Sequence, residues 1–374
     1  MATLRDVLAS RTREGDLYDA LDNQWVHCYA CGHDCRIPPG ALGVCKVRFN
    51  ESGRLMVPWG YAGGVQCDPI EKKPFFHVHP GALAYSFGML GCDLHCGYCQ
   101  NWVTSQALRD PQAVAPPIDV TPELLVKDAL ERGARIIVST YNEPLITSEW
   151  AVAIFKEARA AGLMTGFVSN GNGTPGVLEY LQPWIDAYKV DLKSFDDRHY
   201  RELGGRLRPI LDTITRLHDM GVWLEIVTLL IPGFNDGDDE LKRLTEFVAG
   251  VSLDIPWHVT AFHGDYKMTE PQNTTPEMLL AAAEIGRQSG LRYIYAGNLP
   301  GQVGGLEDTH CATCGELLVA RYGYLIRKYR VTPDGRCPSC TTPVPGRWSA
   351  TFEPQIASRP FLPGERPRLS LLKM

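Results

Sequence analysis

Short β-rich runs alternate with helical segments from about residue 82 to residue 298. The β-rich runs lie at 83–90, 135–140, 164–170, 186–192, 222–231, 257–263 and 291–298. Two of the intervening helices share the same boundary signals. In "TPELLVKDALERG", Thr121 is the expected N-cap, Pro122 the first helical residue and Gly133 the stop, and "TPEMLLAAAEIGRQSG" at 275–290 repeats the pattern. This alternation predicts an α/β fold with a parallel sheet or barrel.

The composition changes on both sides of this region, which divides the chain into four predicted parts. Residues 1–57 form an N-terminal region with a small cysteine-rich module, and residues 58–305 form the core. Within the core, 58–81 is expected to be a loop. Residues 306–348 place a β-rich stretch between two cysteine pairs, and the Pro- and Arg-rich residues 349–374 predict an extended tail.

Charge and hydropathy exclude several classes of function. The net charge is −6, so nothing global indicates a nucleic-acid partner. The first twenty residues lack the apolar region of a signal peptide. No apolar stretch reaches the roughly 18 residues that a transmembrane helix needs. We therefore expect a cytoplasmic protein that does not use a membrane, in a compartment where thiols stay reduced.

The cysteines are clustered. The chain has 12, and all but Cys67 fall into three sets. The sets are Cys28, Cys31, Cys35 and Cys45; Cys92, Cys96 and Cys99; and Cys311, Cys314, Cys337 and Cys340. In a reducing compartment such clusters predict metal ligands rather than disulfides. Cys67 is expected to be a buried apolar residue.

The middle set stands in "GCDLHCGYCQNW", with the spacing C-x3-C-x2-C, directly after the first predicted strand. Three thiolates leave one position of a four-coordinate site free, which is typical of a catalytic metal rather than a structural one. The alternative is a zinc site that a distant ligand such as His95 closes.

Polar residues follow the ends of most predicted strands. They are Asn142 and Glu143, Ser169 and Asn170, Asp191 and Lys193, His263, and Asn298. In (β/α) barrels the C-terminal strand ends form one mouth where ligands bind, so these side chains are expected to converge. Ordinary solvated loops would also place polar residues there.

The triad after a β-strand resembles the ligand pattern of radical S-adenosylmethionine (SAM) enzymes. Further stretches resemble, in order, the radical SAM member of the AmmeMemoRadiSam system, a relative of pyruvate formate-lyase activating enzymes. They are "DPIEKKPFFHVHPG", "STYNEPLI", "FVSNGN", "KVDLKSFDD", "EIVTLLIPGFND", "HVTAFHGDYKM" and "YAGNLPG". The resemblance implies a partial (β/α)6-type barrel with a cysteine-rich N-terminal module and a zinc-ribbon-like C-terminal module.

The resemblance also implies the chemistry. Three thiolates would hold a [4Fe–4S] cluster, and SAM would chelate the remaining iron. Reductive cleavage would give methionine and a 5′-deoxyadenosyl radical, which abstracts hydrogen from a protein glycyl site or a small molecule. Such an oxidoreductase needs a reductant of the flavodoxin or ferredoxin type, and the family name points to AMMECR-like and Memo-like partners.

Two site residues come from motifs next to the cluster. By resemblance, Tyr98 packs near the SAM adenine. "YNEP" stands where activating enzymes have Gly-Gly-Glu-Pro, so Glu143 would accept from the SAM amino group. Here Tyr141 and Asn142 replace the two glycines. Without the family, Glu143 is simply an acid at a helix start.

The remaining site residues come from later strands. By resemblance, Ser169 and Asn170 contact the SAM ribose and carboxylate, and His263 lies near the methionine. Asp191 and Lys193 contact the carboxylate region or a monovalent cation. Turn chemistry, a strand-end ion pair and a structural histidine are the respective alternatives.

The outer cysteines leave the metal open. The C-terminal set is C-x2-C, 22 intervening residues, and C-x2-C, a zinc-ribbon spacing that favours structural zinc over an auxiliary iron–sulfur cluster. The N-terminal set is C-x2-C-x3-C-x9-C, which suits zinc or a second [4Fe–4S] cluster equally, with His27 and His33 as competing ligands.

Three charged residues in "EKKP", Glu71, Lys72 and Lys73, are candidates for the substrate side of the site, although a solvated loop would look the same.

Two other hypotheses are alternatives to a radical SAM enzyme. One is a non-catalytic scaffold that three zinc sites stabilise, and the other is an electron carrier with several iron–sulfur clusters.

Overall fold

The computed structural model describes residues 3–348, so the predicted tail at 349–374 lies outside the described residues. The N-terminal region is built of short elements in two small antiparallel sheets, β1-β6-β5 and β2-β3-β4, beside a short helix. The elements are α1 (Leu4–Ala9), β1 (Thr12–Glu14), β2 (Tyr18–Ala20), β3 (Val26–Cys28), β4 (Cys35–Ile37), β5 (Phe49–Glu51), β6 (Arg54–Pro58) and β7 (Tyr61–Ala62).

The core is one eight-stranded sheet flanked by helices. Its elements, with the short strand β10 that pairs with β7, are β8 (Gly64–Pro69), β9 (Leu83–Gly88), α2 (Trp102–Ser105), β10 (Ile118–Asp119), α3 (Pro122–Glu131), β11 (Ile136–Ser139), α4 (Ser148–Ala160), β12 (Met164–Ser169), α5 (Pro175–Leu181), β13 (Ala187–Asp191), α6 (Asp197–Glu202), α7 (Leu207–Asp219), β14 (Trp223–Leu230), α8 (Asp238–Val251), β15 (Trp257–Ala261), α9 (Pro276–Gln288) and β16 (Ile294–Gly297). The order is β16-β15-β14-β13-β12-β11-β9-β8, and all neighbours are parallel except β8 and β9. This open, curved sheet with helical crossovers confirms the predicted α/β class and partial barrel.

The seven predicted strands are all present, within a few residues of their expected bounds. They form because their apolar runs are buried on both faces, as parallel sheets require. The two helix starts are also confirmed. The side chain of Thr121 accepts from the N–H of Leu124, and that of Thr275 from the N–H of Met278.

The prediction of a loop over 58–81 was wrong in part. Residues of β8 pair antiparallel with β9 in full register, and β8 forms one edge of the sheet. The sequence of β8, "GVQCDP", lacks an apolar run because an edge strand buries less than a central one, and its proline stands at the strand end, where no ladder bond is lost.

Two apolar layers surround the sheet. The larger core lies between the sheet and the helices and includes Phe87, Phe155 and Phe167. A smaller one lies inside the barrel, where Ile70 and Phe75 pack against inward-facing residues of β9, β11 and β13. The segment after β8 therefore fills the interior at the N-terminal ends of the strands.

The C-terminal module is a three-stranded antiparallel sheet that docks on the barrel. Its strands are β17 (Thr309–His310), β18 (Leu317–Tyr322) and β19 (Leu325–Tyr329). Arg321 is buried at the junction. Its guanidinium donates to the carbonyl of Phe76 at 2.8 Å and to Thr309 Oγ1 at 2.7 Å, and its Nε lies 3.6 Å from Glu71 Oε1.

A buried ion pair joins the N-terminal region to α4. The guanidinium of Arg48 donates to Glu149 through two bonds of 2.6 and 2.8 Å, and both side chains are 1% exposed. Glu149 also accepts from the N–H groups of Asp16 and Leu17.

Within residues 3–348, no helix has the length and apolar character to cross a bilayer.

We expect Arg48→Met to lower the free energy of unfolding by about 3–5 kcal/mol, because it leaves the Glu149 carboxylate buried without its partner. Urea unfolding followed by circular dichroism measures this loss. The double variant Arg48→Met, Glu149→Gln should recover more than half of it, since no buried charge remains. A double variant no more stable than the single one would contradict this explanation.

Candidate active site

The cysteine triad lies in the loop at residues 89–101, which follows β9 at the mouth of the barrel. Cys96 is buried, and Cys92 and Cys99 are half-buried. A Cβ atom on Gly88 would lie 2.3 Å from the carbonyl oxygen of Thr140, so only glycine lets the loop start this close to the end of β11. The structure therefore has the triad at the end of a strand, where the sequence predicted it.

The sulfur atoms of the triad sit in an apolar setting with a few polar contacts. The N–H of Leu94 donates to Cys92 Sγ at 3.4 Å, and Ser105 Oγ lies 3.2 Å from Cys99 Sγ. Burial raises the pKa of Cys96 to about 11. A metal would have to displace the thiol protons on binding, as thiolate ligation always requires.

Asp93 anchors the triad loop from inside. Its side chain is fully buried and accepts from Asn170 Nδ2 at 2.7 Å and from Asn172 Nδ2 at 2.8 Å. These two amides follow β12, so the loop after one strand is tied to the loop after another. Cys92 Sγ lies 3.7 Å from Asp93 Oδ1, so this contact reaches the ligand itself.

Glu143 is brought together with Ser169 and Asn170, as the rule that parallel strands end at one mouth predicts. Its carboxyl accepts from the Ser169 hydroxyl at 2.7 Å, from the Asn170 N–H at 2.7 Å and from the Leu145 N–H at 3.0 Å. The residue is 2% exposed. Burial raises its pKa to about 8, and the neighbouring Asp93 acts in the same direction.

Asp191 and Lys193 form an ion pair at the end of β13, with Lys193 Nζ 3.6 Å from Asp191 Oδ2. A second lysine, Lys189, reaches the same carboxylate from within the strand. Burial alone would lower the pKa of Lys193, but Asp191 and then Cys96 hold it well above its usual range. The pair therefore lies beside the triad.

Tyr98 and His263 differ in their exposure to solvent. Tyr98 is buried, and its ring packs edge-on against Phe234 with the centroids 6.1 Å apart. His263 is exposed, and its Nε2 lies 3.0 Å from the side-chain nitrogen of Gln100, next to the triad. The ring of His95, the alternative zinc ligand, lies against Gly204.

The two asparagines at strand ends have structural contacts. Asn142 Oδ1 accepts from the N–H of Met89 at 3.0 Å, which joins it to the start of the triad loop. The side chain of Asn298 donates to the carbonyl of Ala261 at 3.1 Å and so ties the end of β16 to that of β15.

Two of the three charged residues in "EKKP" pair with Asp68 of β8. Lys73 Nζ donates to the Tyr141 hydroxyl at 2.9 Å and lies 3.4 Å from Asp68 Oδ2, and Lys72 Nζ lies 3.1 Å from the same oxygen. Burial lowers the pKa of Lys73 to about 8. Glu71 instead pairs with Arg321 of the C-terminal module. Tyr141 has a φ of 69°, an uncommon backbone conformation for a residue with a large side chain.

The outer cysteine sets differ in spacing. In the C-terminal set, sulfur pairs lie 3.5 Å apart (Cys311 and Cys340) and 3.6 Å apart (Cys314 and Cys337). Of the His, Cys, Asp and Glu side chains in residues 3–348, only these bring three or more ligand atoms within 4.8 Å of one another. This group could bind a metal.

Cys67 is half-buried and packs at the edge of the main core.

Sequence reasoning missed Asp93, Asn172 and Lys189. Asp93 stands inside the triad motif and Asn172 inside "SNGN", so both had a signal in their neighbours. Lys189 is an isolated lysine in an apolar strand, which by itself indicates an inward-facing polar contact.

The raised pKa of Glu143 makes a prediction about pH. The folded state holds the proton up to about pH 8, whereas the unfolded chain releases it near 4.5. The contribution of Glu143 to the free energy of unfolding is therefore fully present below about pH 4.5, and it is lost as pH rises through about 8. We expect the urea midpoint to fall more steeply over this range in the wild type than in Glu143→Gln, with Glu284→Gln on the surface of α9 as the control. Parallel curves for wild type and Glu143→Gln would refute this.

The sequence model of the Radical SAM superfamily matches residues 88–247, which include the triad and the strands up to β14. An uncharacterized protein of Methanocaldococcus jannaschii is 35% identical over 312 residues, 83% of this chain and 92% of its own length. The pyruvate formate-lyase-activating enzyme of Staphylococcus aureus is 30% identical over 203 residues, 49% of this chain and 78% of that enzyme.

Among solved structures, a radical SAM methyltransferase from Sphaerobacter thermophilus matches with a TM-score of 0.46 and 16% identity, over 64% of this chain and 71% of that one. That likeness is distant. The sequence matches, with the triad at the mouth of a partial barrel, establish that this chain belongs to the radical SAM superfamily, whose enzymes use SAM and a [4Fe–4S] cluster.

Proposed function

We propose that this radical SAM enzyme reductively cleaves SAM and uses the resulting 5′-deoxyadenosyl radical to abstract hydrogen from a substrate inside the barrel. The observation that carries the proposal is the convergence of the triad with the side chains that follow β11, β12 and β13. Glu143, Ser169 and Asn170 contact one another, and Asp191 and Lys193 lie beside Cys96.

The donor set fits an iron–sulfur cluster. The triad offers three thiols and no fourth. Within the described residues, its three sulfur atoms do not all lie within 4.8 Å of one another, whereas the sulfur atoms of the C-terminal set do. When bound, a [4Fe–4S] cluster supplies the electron that splits the sulfonium bond of SAM. Cys92, Cys96 and Cys99 would hold it, and the open iron would take the SAM amino and carboxylate groups.

The protein's own groups bind and orient SAM. Glu143 is held in place by three donors, so its carboxyl oxygens point at a fixed position without a cost in side-chain entropy at the time of binding. An ammonium group there would gain a charge-assisted hydrogen bond, in general worth about 1.5–3 kcal/mol. Lys193 offers the opposite charge to the SAM carboxylate.

Apolar side chains around the triad would exclude water from the radical. Leu94, Tyr98 and Phe262 belong to one cluster with the cysteines. A reactive carbon radical is protected when nothing but the substrate and inert side chains lies within reach.

For the C-terminal set we propose structural zinc. Zinc–sulfur bonds of about 2.3 Å in a tetrahedron place sulfur atoms about 3.8 Å apart. The distances of 3.5 and 3.6 Å between paired sulfurs support one small ion rather than a larger cluster.

We further propose that the substrate is a small molecule rather than a glycyl loop of another protein. The sheet is open between its edge strands β8 and β16, and residues of the C-terminal module contact both the segment after β8 and the strand β16. Arg321 contacts Phe76 and Glu71 after β8, and it also contacts Thr309, whose hydroxyl lies 2.8 Å from the hydroxyl of Tyr295 on β16. A loop of another protein would therefore have no way into the barrel between β8 and β16.

The charges inside the barrel favour an anionic substrate. Lys72 and Lys73 share the single carboxylate of Asp68, which is 1% exposed. Lys189 and Lys193 likewise share Asp191. Each site holds two cations for one anion. The SAM carboxylate would balance the extra cation beside Asp191, and a carboxylate or phosphate of the substrate would balance the one beside Asp68.

Clustered cysteines that suit a compartment with reduced thiols support a cytoplasmic location. The resemblance to the AmmeMemoRadiSam system supports two further proposals, a reductant of the flavodoxin or ferredoxin type and AMMECR-like and Memo-like partners. The same resemblance supports classification as an oxidoreductase.

The proposed function predicts 5′-deoxyadenosine from SAM and a strong reductant after anaerobic reconstitution with iron and sulfide. Cys99→Ala should abolish the product, because two thiolates cannot hold the cluster in its active form. Cys67→Ala is the matched control and should retain the activity. Chromatography with mass detection measures the nucleoside. Equal yields from wild type and Cys99→Ala would sink the proposal in favour of a scaffold or an electron carrier.

The proposed substrate class predicts which part of a cell extract accelerates 5′-deoxyadenosine formation. The low-molecular-mass filtrate should accelerate it, and the retained proteins should not. Lys73→Met should lower this acceleration by about 10-fold or more, the loss of one charge-assisted bond, while exposed Lys127→Met should not. Acceleration by the retained proteins alone would contradict the proposal.

A further inference from the structure

The four N-terminal cysteines come together although they are spread over eighteen positions of the chain. Cys28 and Cys35 face each other across the β3–β4 hairpin, and Cys31 lies in its turn. Cys45 comes from the loop before β5 and packs with Cys31 in one buried cluster. Cys28, Cys31 and Cys45 are buried.

The surroundings of these sulfur atoms are apolar. Cys31 and Cys45 pack with Val47 and Ile146 in one buried cluster. Cys28 belongs to the main core, and Cys35 packs at its edge. Exclusion of solvent is one of the factors by which a protein sets the properties of an iron–sulfur cluster.

The two histidines near this set are engaged elsewhere. The Nε2 atom of His27 lies 2.7 Å from Asp34 Oδ1, and that of His33 lies 3.0 Å from the carbonyl of Asp93. Four thiols complete a ligand set without either histidine.

The spacing of these thiols differs from that of the C-terminal set. Within the described part of the chain, no three of these four sulfur atoms all lie within 4.8 Å of one another. A tetrahedral zinc ion needs separations of about 3.8 Å. The N-terminal set shares its wider spacing with the triad, which is the cluster site of the superfamily.

This set also packs directly on the triad loop. The N–H of Gly32 donates to the carbonyl of Asn172 at 2.7 Å. The guanidinium of Arg109 donates to the carbonyl of Val44 at 2.7 Å and to that of Cys92 at 2.6 Å. One side chain thus joins the backbone next to Cys45 with the backbone of a triad cysteine.

We propose that Cys28, Cys31, Cys35 and Cys45 bind a second iron–sulfur cluster, with all four ligands from the protein, packed against the loop of the SAM-binding cluster. Because every position is occupied by a thiolate, this cluster has no site for SAM. The proposal concerns a site that SAM cleavage does not require, so it can fail while the proposed function stands.

The test uses the full chain with Cys92, Cys96 and Cys99 all changed to Ala, reconstituted anaerobically with iron and sulfide. We expect about two to four irons per chain with matching sulfide, since four cysteines hold [2Fe–2S] or [4Fe–4S] clusters. After reduction, the electron paramagnetic resonance signal should not change when SAM is added. Zinc should remain at about one per chain, the content of a single four-cysteine ribbon.

Further substitutions in this background locate the iron. Adding Cys31→Ala should remove it, adding Cys67→Ala should leave it, and adding Cys337→Ala should remove the zinc but not the iron. A triple variant without iron overturns the proposal, and a second zinc per chain would assign the set to zinc instead. The triple variant decides this by itself, even where Cys31→Ala fails to fold.

Discussion

The active-site mouth depends on one buried carboxyl group, that of Asp93. It lies inside the triad loop and takes two amide donors from the segment after β12, Asn170 and Asn172. A carboxyl away from water is costly unless its oxygens are satisfied, so loop and segment can only be folded together. Its own backbone carbonyl accepts from His33 of the N-terminal region.

This arrangement links parts of the chain that are far apart in sequence. The N-terminal region, the triad loop and the segment after β12 meet around Asp93, and Arg109 adds a second tie between the first two. The position of Cys92 and Asp93 therefore depends on contacts from these three regions. A site that must hold a cluster and SAM in a fixed relation gains from such support, because supporting groups set the geometry of the ligands.

A different set of contacts closes the opposite end of the barrel, at the N-terminal ends of the strands. The segment after β8 fills the interior, and Glu225 accepts from the N–H groups of Phe76 and His77 and lies 2.7 Å from His258 Nε2. The C-terminal module then covers this segment through Arg321.

The chain alone determined the strands, the helix caps and the cysteine sets, and it indicated which polar residues stand at successive strand ends. Each of these follows from local periodicity or from a short motif, and the convergence of Glu143, Ser169 and Asn170 follows from the rule that parallel strands end at one mouth. Only the tertiary structure decided that β8 is a strand, that Lys73 and Tyr141 meet inside the barrel, and that Asp93 joins three regions. These features rest on pairings between distant segments, and no local pattern records them, because an edge strand and a buried polar contact obtain their stability from partners elsewhere in the fold.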